Sequence, residues 1–233
     1  MQTVPDSQPR LESTDVVPDD APAETLHAVL ASQARDRTKL ELWAGTLVGG
    51  ANAALGNLDA ATGPATTASF NSPVGLEADS SGNLFVADSK NDTIRSVTAA
   101  GLVTTVAGSP IAFGANDSPD ALFNFPKSVA PDLFGNVYVA DSSNNTIRKI
   151  AANGTVTTVA GTPGISGSTD TAQGSPLFNN PTGVATDAAG NVYVTDRGNR
   201  TIRKITFAAG PPPTVTVTTL AGLAGSGNIS IDG

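Results

Sequence analysis

The sequence predicts an all-β fold built from four-stranded antiparallel units, and three observations carry that prediction. The composition is rich in Gly (24) and Pro (16), holds only 15 % charged residues and few aromatics, and so favours short strands and turns over long helices. A block of features recurs three times in fixed order. Each block holds four short runs rich in Val, Ile and Thr, separated by turn residues.

The recurrence is read from landmarks. Phe70, Phe123 and Phe178 lie 53 and 55 residues apart, and Pro73, Pro126 and Pro181 keep the same spacing. So do the pairs Gly82-Asn83, Gly135-Asn136 and Gly190-Asn191, then Asp88, Asp141 and Asp196, then Thr-Ile-Arg at 93–95, 146–148 and 201–203. Each unit closes on Val/Leu-Ala-Gly, at 106–108, 159–161 and 220–222.

The first predicted strand follows the Pro, at 74–78, 127–131 and 182–186. A turn follows in which Gly135, in Asp132-Leu-Phe-Gly135-Asn136, supplies positive φ. The second strand is 84–87, 137–140 and 192–195; the third holds Thr-Ile-Arg and runs to Val97, Ile150 and Ile205. Asn153-Gly154 makes the hairpin to the fourth strand, at 103–106, 156–159 and 215–220. Second strands such as Val137-Tyr-Val-Ala140 are apolar on both faces and must be covered on both sides. A stack of sheets does this. In the third strands Ile147 and Lys149 share a face, which periodicity alone does not explain.

A period of about 40–55 residues with four strands per unit is the signature of a β-propeller. The run Pro181-x-Gly-Val-Ala-x-Asp-x-x-Gly-Asn-Val-Tyr-Val-x-Asp-x-x-Asn-x-x-Ile-Arg-Lys-Ile205 resembles the NHL repeat, and the units at Pro73 and Pro126 match it nearly as well. The resemblance covers roughly 70–222, and the Thr-Thr-Val-Ala-Gly endings are similar to those of bacterial NHL proteins. It implies a ring of about six blades, of which three complete units (about 70–108, 123–161 and 178–222) are present. The expectation is therefore a partial, open propeller, with two readings: a fragment, or a half that self-associates through its open blade ends.

Residues 39–45 end in Ala-Gly like a fourth strand and read as a strap for a last blade; 223–233 read as the start of a further link. Residues 1–38 read as a disordered, acidic, Pro-punctuated extension with a short helix near 22–36, where His27 faces solvent.

The composition also excludes chemistry. There is no cysteine, and His27 is the one histidine, so disulfides, thiolate sites, multi-His sites and a Ser-His-Asp triad on the repeats are excluded. A net charge of −8 disfavours nucleic acid, and no apolar run reaches the ~20 residues of a membrane span. The first 25 residues lack a signal-peptide pattern, while low Lys, high Thr, Gly and Asn and no Cys resemble bacterial cell-surface or secreted proteins.

Residues that recur in every unit read as structural. Asp79, Asp132 and Asp187 suit turns; Asp88, Asp141 and Asp196 accept backbone N–H groups; Arg95, Arg148 and Arg203 pair with acids or lay their stems on apolar surface. Asn91, Asn144 and Asn199 open N-glycosylation triplets, but the repeat itself explains them.

Departures from the repeat are the functional candidates. Glu77 stands where Ala130 and Ala185 stand on the innermost, channel-lining strand. The resemblance to lactonase and lyase propellers implies that such a carboxylate helps seat a divalent cation, but the innermost strands of the other units offer no second acid. Lys127 replaces Val74 and Thr182, and Arg197 and Arg200 fall in the loop between strands two and three, where the first unit has Lys90 and Asp92 and the second Ser143 and Asn145. That loop and the inter-unit links share one face of a propeller, so Lys127, Arg197, Arg200, Lys90 and Asp92 form the predicted contact surface. The expected function is a non-catalytic scaffold presenting loops to a protein, peptide or glycan, with no cofactor. The alternative is a fragment of a metal-dependent hydrolase or lyase.

Overall fold

The computed structural model describes residue 59 and residues 68–208 and 214–224. The readings for 1–38 and 39–45, and nearly all of 223–233, lie outside these. The chain divides into two units, 1–41 and 42–233, and the description that follows concerns the second.

Among the described residues, twelve strands form three four-stranded antiparallel sheets. The first blade is β1 (Pro73–Ala78), β2 (Leu84–Asp88), β3 (Thr93–Val97) and β4 (Val103–Gly108). The second is β5 (Pro126–Pro131), β6 (Val137–Asp141), β7 (Thr146–Ile150) and β8 (Val156–Ala160). The third is β9 (Pro181–Thr186), β10 (Val192–Asp196), β11 (Thr201–Ala208) and β12 (Thr214–Ala221). Strand order follows chain order in each sheet, so β1, β5 and β9 are edges, and they pack side by side. Pro131 occupies an edge strand, where its missing N–H costs no ladder bond. The described strands form an open, propeller-like array of three blades.

The turns form for local reasons. Asp132 Oδ1 accepts from the N–H groups of Phe134 and Asn136, Oδ2 accepts from Asn136 Nδ2, and Gly135 takes φ 80°. Asp79 and Asp187 repeat this. Gly101 and Gly154 supply positive φ between third and fourth strands.

The two-sided apolar strands are explained by the stacking. Val137 and Val139 pack toward the first blade with Ala87, Ile94, Phe123, Ile150 and Val156. Tyr138 and Ala140 pack toward the third blade with Ile147, Phe178, Val192, Val194, Ile205 and Val217. Each such buried aliphatic contributes about 1.5–3 kcal/mol relative to exposure. Ile147 and Lys149 do share a face. Ile147 is sealed by the third blade, while Lys149 lies opposite Tyr138 in the ladder. At the matching place in the third blade, Lys204 Nζ sits 5.5 Å from the centre of the Tyr193 ring, so the lysine covers an aromatic face.

Asp187 gives a pH signature. Hydrogen bonds from the Asn191 side chain and backbone hold its carboxyl at about 2, below the ordinary 3.8. A depressed folded-state value stabilises the fold above the ordinary range, and that stabilisation is lost as pH falls from about 4 through 2. Asp187→Asn is therefore expected to lower Tm at pH 7 and to change it far less at pH 2, as read by paired thermal melts.

Candidate functional site

Each blade is fastened by a buried polar bracket. In the second blade, Asp141 Oδ1 accepts from the Asn124 N–H at 2.8 Å. Its Oδ2 accepts from Asn144 Nδ2 at 2.7 Å and Arg148 Nη1 at 3.0 Å. Arg148 also donates to the carbonyls of Leu122 and Asn116 and to Asp117 Oδ1, and its guanidinium lies 5.3 Å from the centre of the Phe123 ring. Asp117 in turn accepts from Thr158 on β8. The bracket ties the inter-blade link to the second, third and fourth strands. Asp88, Asn91, Arg95, Asp59 and Phe70 repeat it, as do Asp196, Asn199, Arg203, Asp170 and Phe178.

Burial pushes the Asp141 carboxyl up, to about 6, against the hydrogen bonds and charge that favour ionisation; Asp88 and Asp196 are raised for the same reason. The glycosylation triplets are spent here too. Asn91, Asn144 and Asn199 are buried and bonded to these aspartates.

The brackets position the loop face. Asn144 Nδ2 donates to the Gly114 carbonyl, and the Ser143 N–H to Asn124, so the loop between second and third strands is bound to the link that precedes its blade. At the junction of the second and third blades this face holds an open depression of about 420 Å³, lined by Phe125, Lys127, Ser142, Ser143, Asn145 and Asn180. Phe125 is 44 % exposed and has φ 50°. The matching residues Ser72 and Asn180 share that left-handed backbone, which a bulky aromatic adopts at a cost.

The predicted contact residues have different surroundings. Lys127 lines the depression. Asp92 is half-buried, and its Oδ1 accepts from the Phe125 N–H at 2.6 Å, so its carboxylate joins the first two blades. Lys90 is exposed and its N–H donates to the Asn71 carbonyl. Arg197 and Arg200 are exposed on the third blade. The alignment of Arg197 is corrected by one residue. Counted from the Asp that ends each second strand, it stands at the place of Ser89 and Ser142, and Gly198 at that of Lys90 and Ser143. Glu77 is exposed on β1, opposite Phe85. Among the described residues no three His, Cys, Asp or Glu side chains are grouped to hold a metal, and no helix is long and apolar enough to cross a membrane.

Sequence reasoning missed Asp59, Asp117 and Asp170, which precede Phe70, Phe123 and Phe178 at unequal distances. It also missed Phe125, whose signal was available: an aromatic where the other units have Ser72 and Asn180.

Comparison with known proteins adds the following. Residues 178–205 match the NHL repeat. Among solved structures, the chain is similar to a structural genomics protein of unknown function from Bacteroides thetaiotaomicron, at 25 % identity and a TM-score of 0.49, over 59 % of this chain and 33 % of that one. It is similar to an auxiliary nutrient binding protein from the same organism, at 23 % identity and a TM-score of 0.49, over 56 % and 36 %. It is also similar to virginiamycin B lyase from Staphylococcus aureus, at 18 % identity and a TM-score of 0.44, over 65 % and 42 %. The chain thus spans about a third to two fifths of the length of these structures. No curated protein matches it.

Proposed function

We propose that this chain is a non-catalytic binding module that holds a protein, peptide or glycan partner on its loop face, in the depression between the second and third blades. Phe125 carries the reading. The position works with Ser or Asn, and here a large apolar ring is held at the lip in the left-handed region. Backbone strain accepted for an exposed aromatic is a mark of a site rather than of packing. Lys127 beside it supplies a cation, and Ser143 and Asn145 supply polar groups that orient a ligand. A ring that stacks and a cation that pairs suit a sugar ring or an acidic side chain. Nucleic acid fits poorly with a net charge of −8.

Phe125→Asn with Lys127→Thr restores the residue types of the third blade at both positions. The double variant is expected to melt at or above the wild type, because the strain is relieved, and to lose at least about tenfold in affinity for ligands found on peptide and glycan arrays. Undiminished binding would move the site elsewhere, and turnover of lactone substrates by the wild type would overturn the non-catalytic reading.

A further inference from the structure

Two successive blade junctions share one backbone arrangement and differ in charge. At the first, the N–H of Phe125 donates to Asp92 Oδ1 at 2.6 Å. At the second, the N–H of Asn180 donates to Asn145 Oδ1 at 2.8 Å. Both donors are left-handed, and so are Asp92 and Asn145, with φ 53° and 58°. The arrangement therefore requires only an acceptor oxygen, which a carboxylate and an amide supply equally well. The choice between them sets the charge of the junction. Asp92 brings a carboxylate to the first. Asn145 brings none to the second, and because the Asn180 N–H engages its oxygen, its Nδ2 is left as a donor.

A second departure from the repeat acts in the same direction. Two residues beyond the corner stand Val74 in the first blade, Lys127 in the second and Thr182 in the third. Lys127 lines the depression at the second junction with Asn145, Asn180 and Ser143, and no carboxylate lines it. Among the described residues no acid forms an ion pair with Lys127, Asp92 included. Lys127, Asn145 and Asn180 are half-buried, so their donors sit beside the shielded rim of the junction rather than in open solvent. A cation and amide and hydroxyl donors without an acid form a set that an anion satisfies.

The Phe125 ring at the lip decides which anion. It calls for a ligand with an apolar face, and a sugar has one on the C–H side of its ring. The hydroxyls of the same sugar suit Ser143 and Asn180. An acidic peptide side chain carries its carboxylate on a flexible stem, has no face to lay on the ring and loses more rotamer freedom when held.

We propose that this depression selects an acidic sugar, a hexuronate unit whose carboxylate pairs with Lys127 and accepts from Asn145 Nδ2 while its ring lies on Phe125. The inference rests on the binding role proposed above and names the ligand class for that site. The first junction, with Asp92 and Val74 at the matching positions, repels the same group.

The first blade also supplies the variants that test this. Calorimetric titrations of the full chain compare an oligogalacturonate, the same oligosaccharide with its carboxylates reduced to alcohols, and a poly-Glu peptide. The wild type is expected to bind the uronate at least about tenfold more tightly than the neutral sugar, with an affinity that falls as salt is added. Lys127→Val removes the preference and the salt dependence and leaves binding of the neutral sugar. Asn145→Asp keeps the acceptor that the Asn180 N–H requires, as Asp92 does for Phe125. It is therefore expected to melt within a few degrees of the wild type while losing at least about tenfold in affinity for the uronate. The proposal is overturned if the uronate fails to bind or binds no better than the neutral sugar, if either variant keeps the preference, or if the peptide binds as tightly. Peptide or neutral-sugar binding in its place, lost with Phe125→Asn, would leave the binding role standing with another ligand. Uronate binding that Phe125→Asn leaves unchanged would place the site elsewhere and remove both.

Discussion

Replacing Arg148 by alanine is expected to destabilise the protein by about 3–5 kcal/mol, because it leaves a buried carboxylate without its cation. For a unit of this size that is a fall in Tm of about 10 °C. The side chains of Arg148 and Asp141 are both fully buried, in the middle blade, where a neighbour on each side prevents relaxation. Two carbonyls, Leu122 and Asn116, lose their donor in the same step, and the Phe123 ring loses the guanidinium over its face. The control is Asp117→Ala. Asp117 bonds the same guanidinium at 2.8 Å, but its carboxyl is 47 % exposed, so its loss is expected to cost about 1 kcal/mol or less. A pH series adds a second readout. Asp141 already titrates near 6 when folded, above its ordinary 3.8, so its contribution to stability declines as pH rises through that window. Without Arg148 the carboxyl is pushed higher still. The variant's deficit relative to the wild type is therefore expected to shrink as pH is lowered toward 5, as measured by urea unfolding. Equal costs for Arg148→Ala and Asp117→Ala would show that the buried pair does not hold the blade.

The blade architecture was legible because its causes are periodic. Strand alternation, turn Asp and Gly residues and closing Gly residues recur at nearly fixed spacing, and Val137–Ala140, apolar on both faces, announced a stacked sheet before any contact was known. The bracket was half legible. Arg148 and Asp141 recur in step with the other landmarks, but Asp117 sits in a link of varying length, where geometry is conserved in space and not in sequence. The candidate site was least legible because it depends on departures. Lys127 stood out by charge, whereas Phe125 looked like one more apolar residue until its positive φ and exposure were seen. The arginines of the third blade were noticed as surface charge. That Arg200 stands at the repeat position of Asp92 and Asn145, which join successive blades, follows only from the bonds those two residues make.

Replacing Gly161 by alanine is expected to cost at least about 3 kcal/mol, and replacing Gly154 only about 1 kcal/mol, although both glycines have left-handed φ, 93° and 84°. The shared conformational cost of an L-residue sets the smaller number. The difference is steric. A Cβ on Gly154 meets nothing within 4 Å, whereas one on Gly161 would run into the Asn145 carbonyl and lie 2.9 Å from Thr146 Cα. Both obstacles are backbone, so the loop rather than a side chain must move. This accounts for the Ala-Gly that ends each fourth strand: Gly108 and Gly222 are crowded in the same way by Asp92 and Arg200. It also ties the strand end to the seat of the next blade, since Asn145 is the residue whose Oδ1 accepts from Asn180. Gly161→Ala is therefore expected to expose the Asn180 amide to hydrogen exchange at least about tenfold faster than global unfolding alone would, and Gly154→Ala is not. If the Asn180 amide stays as protected in Gly161→Ala as in Gly154→Ala, the glycine serves the turn alone and the blade seat does not depend on it.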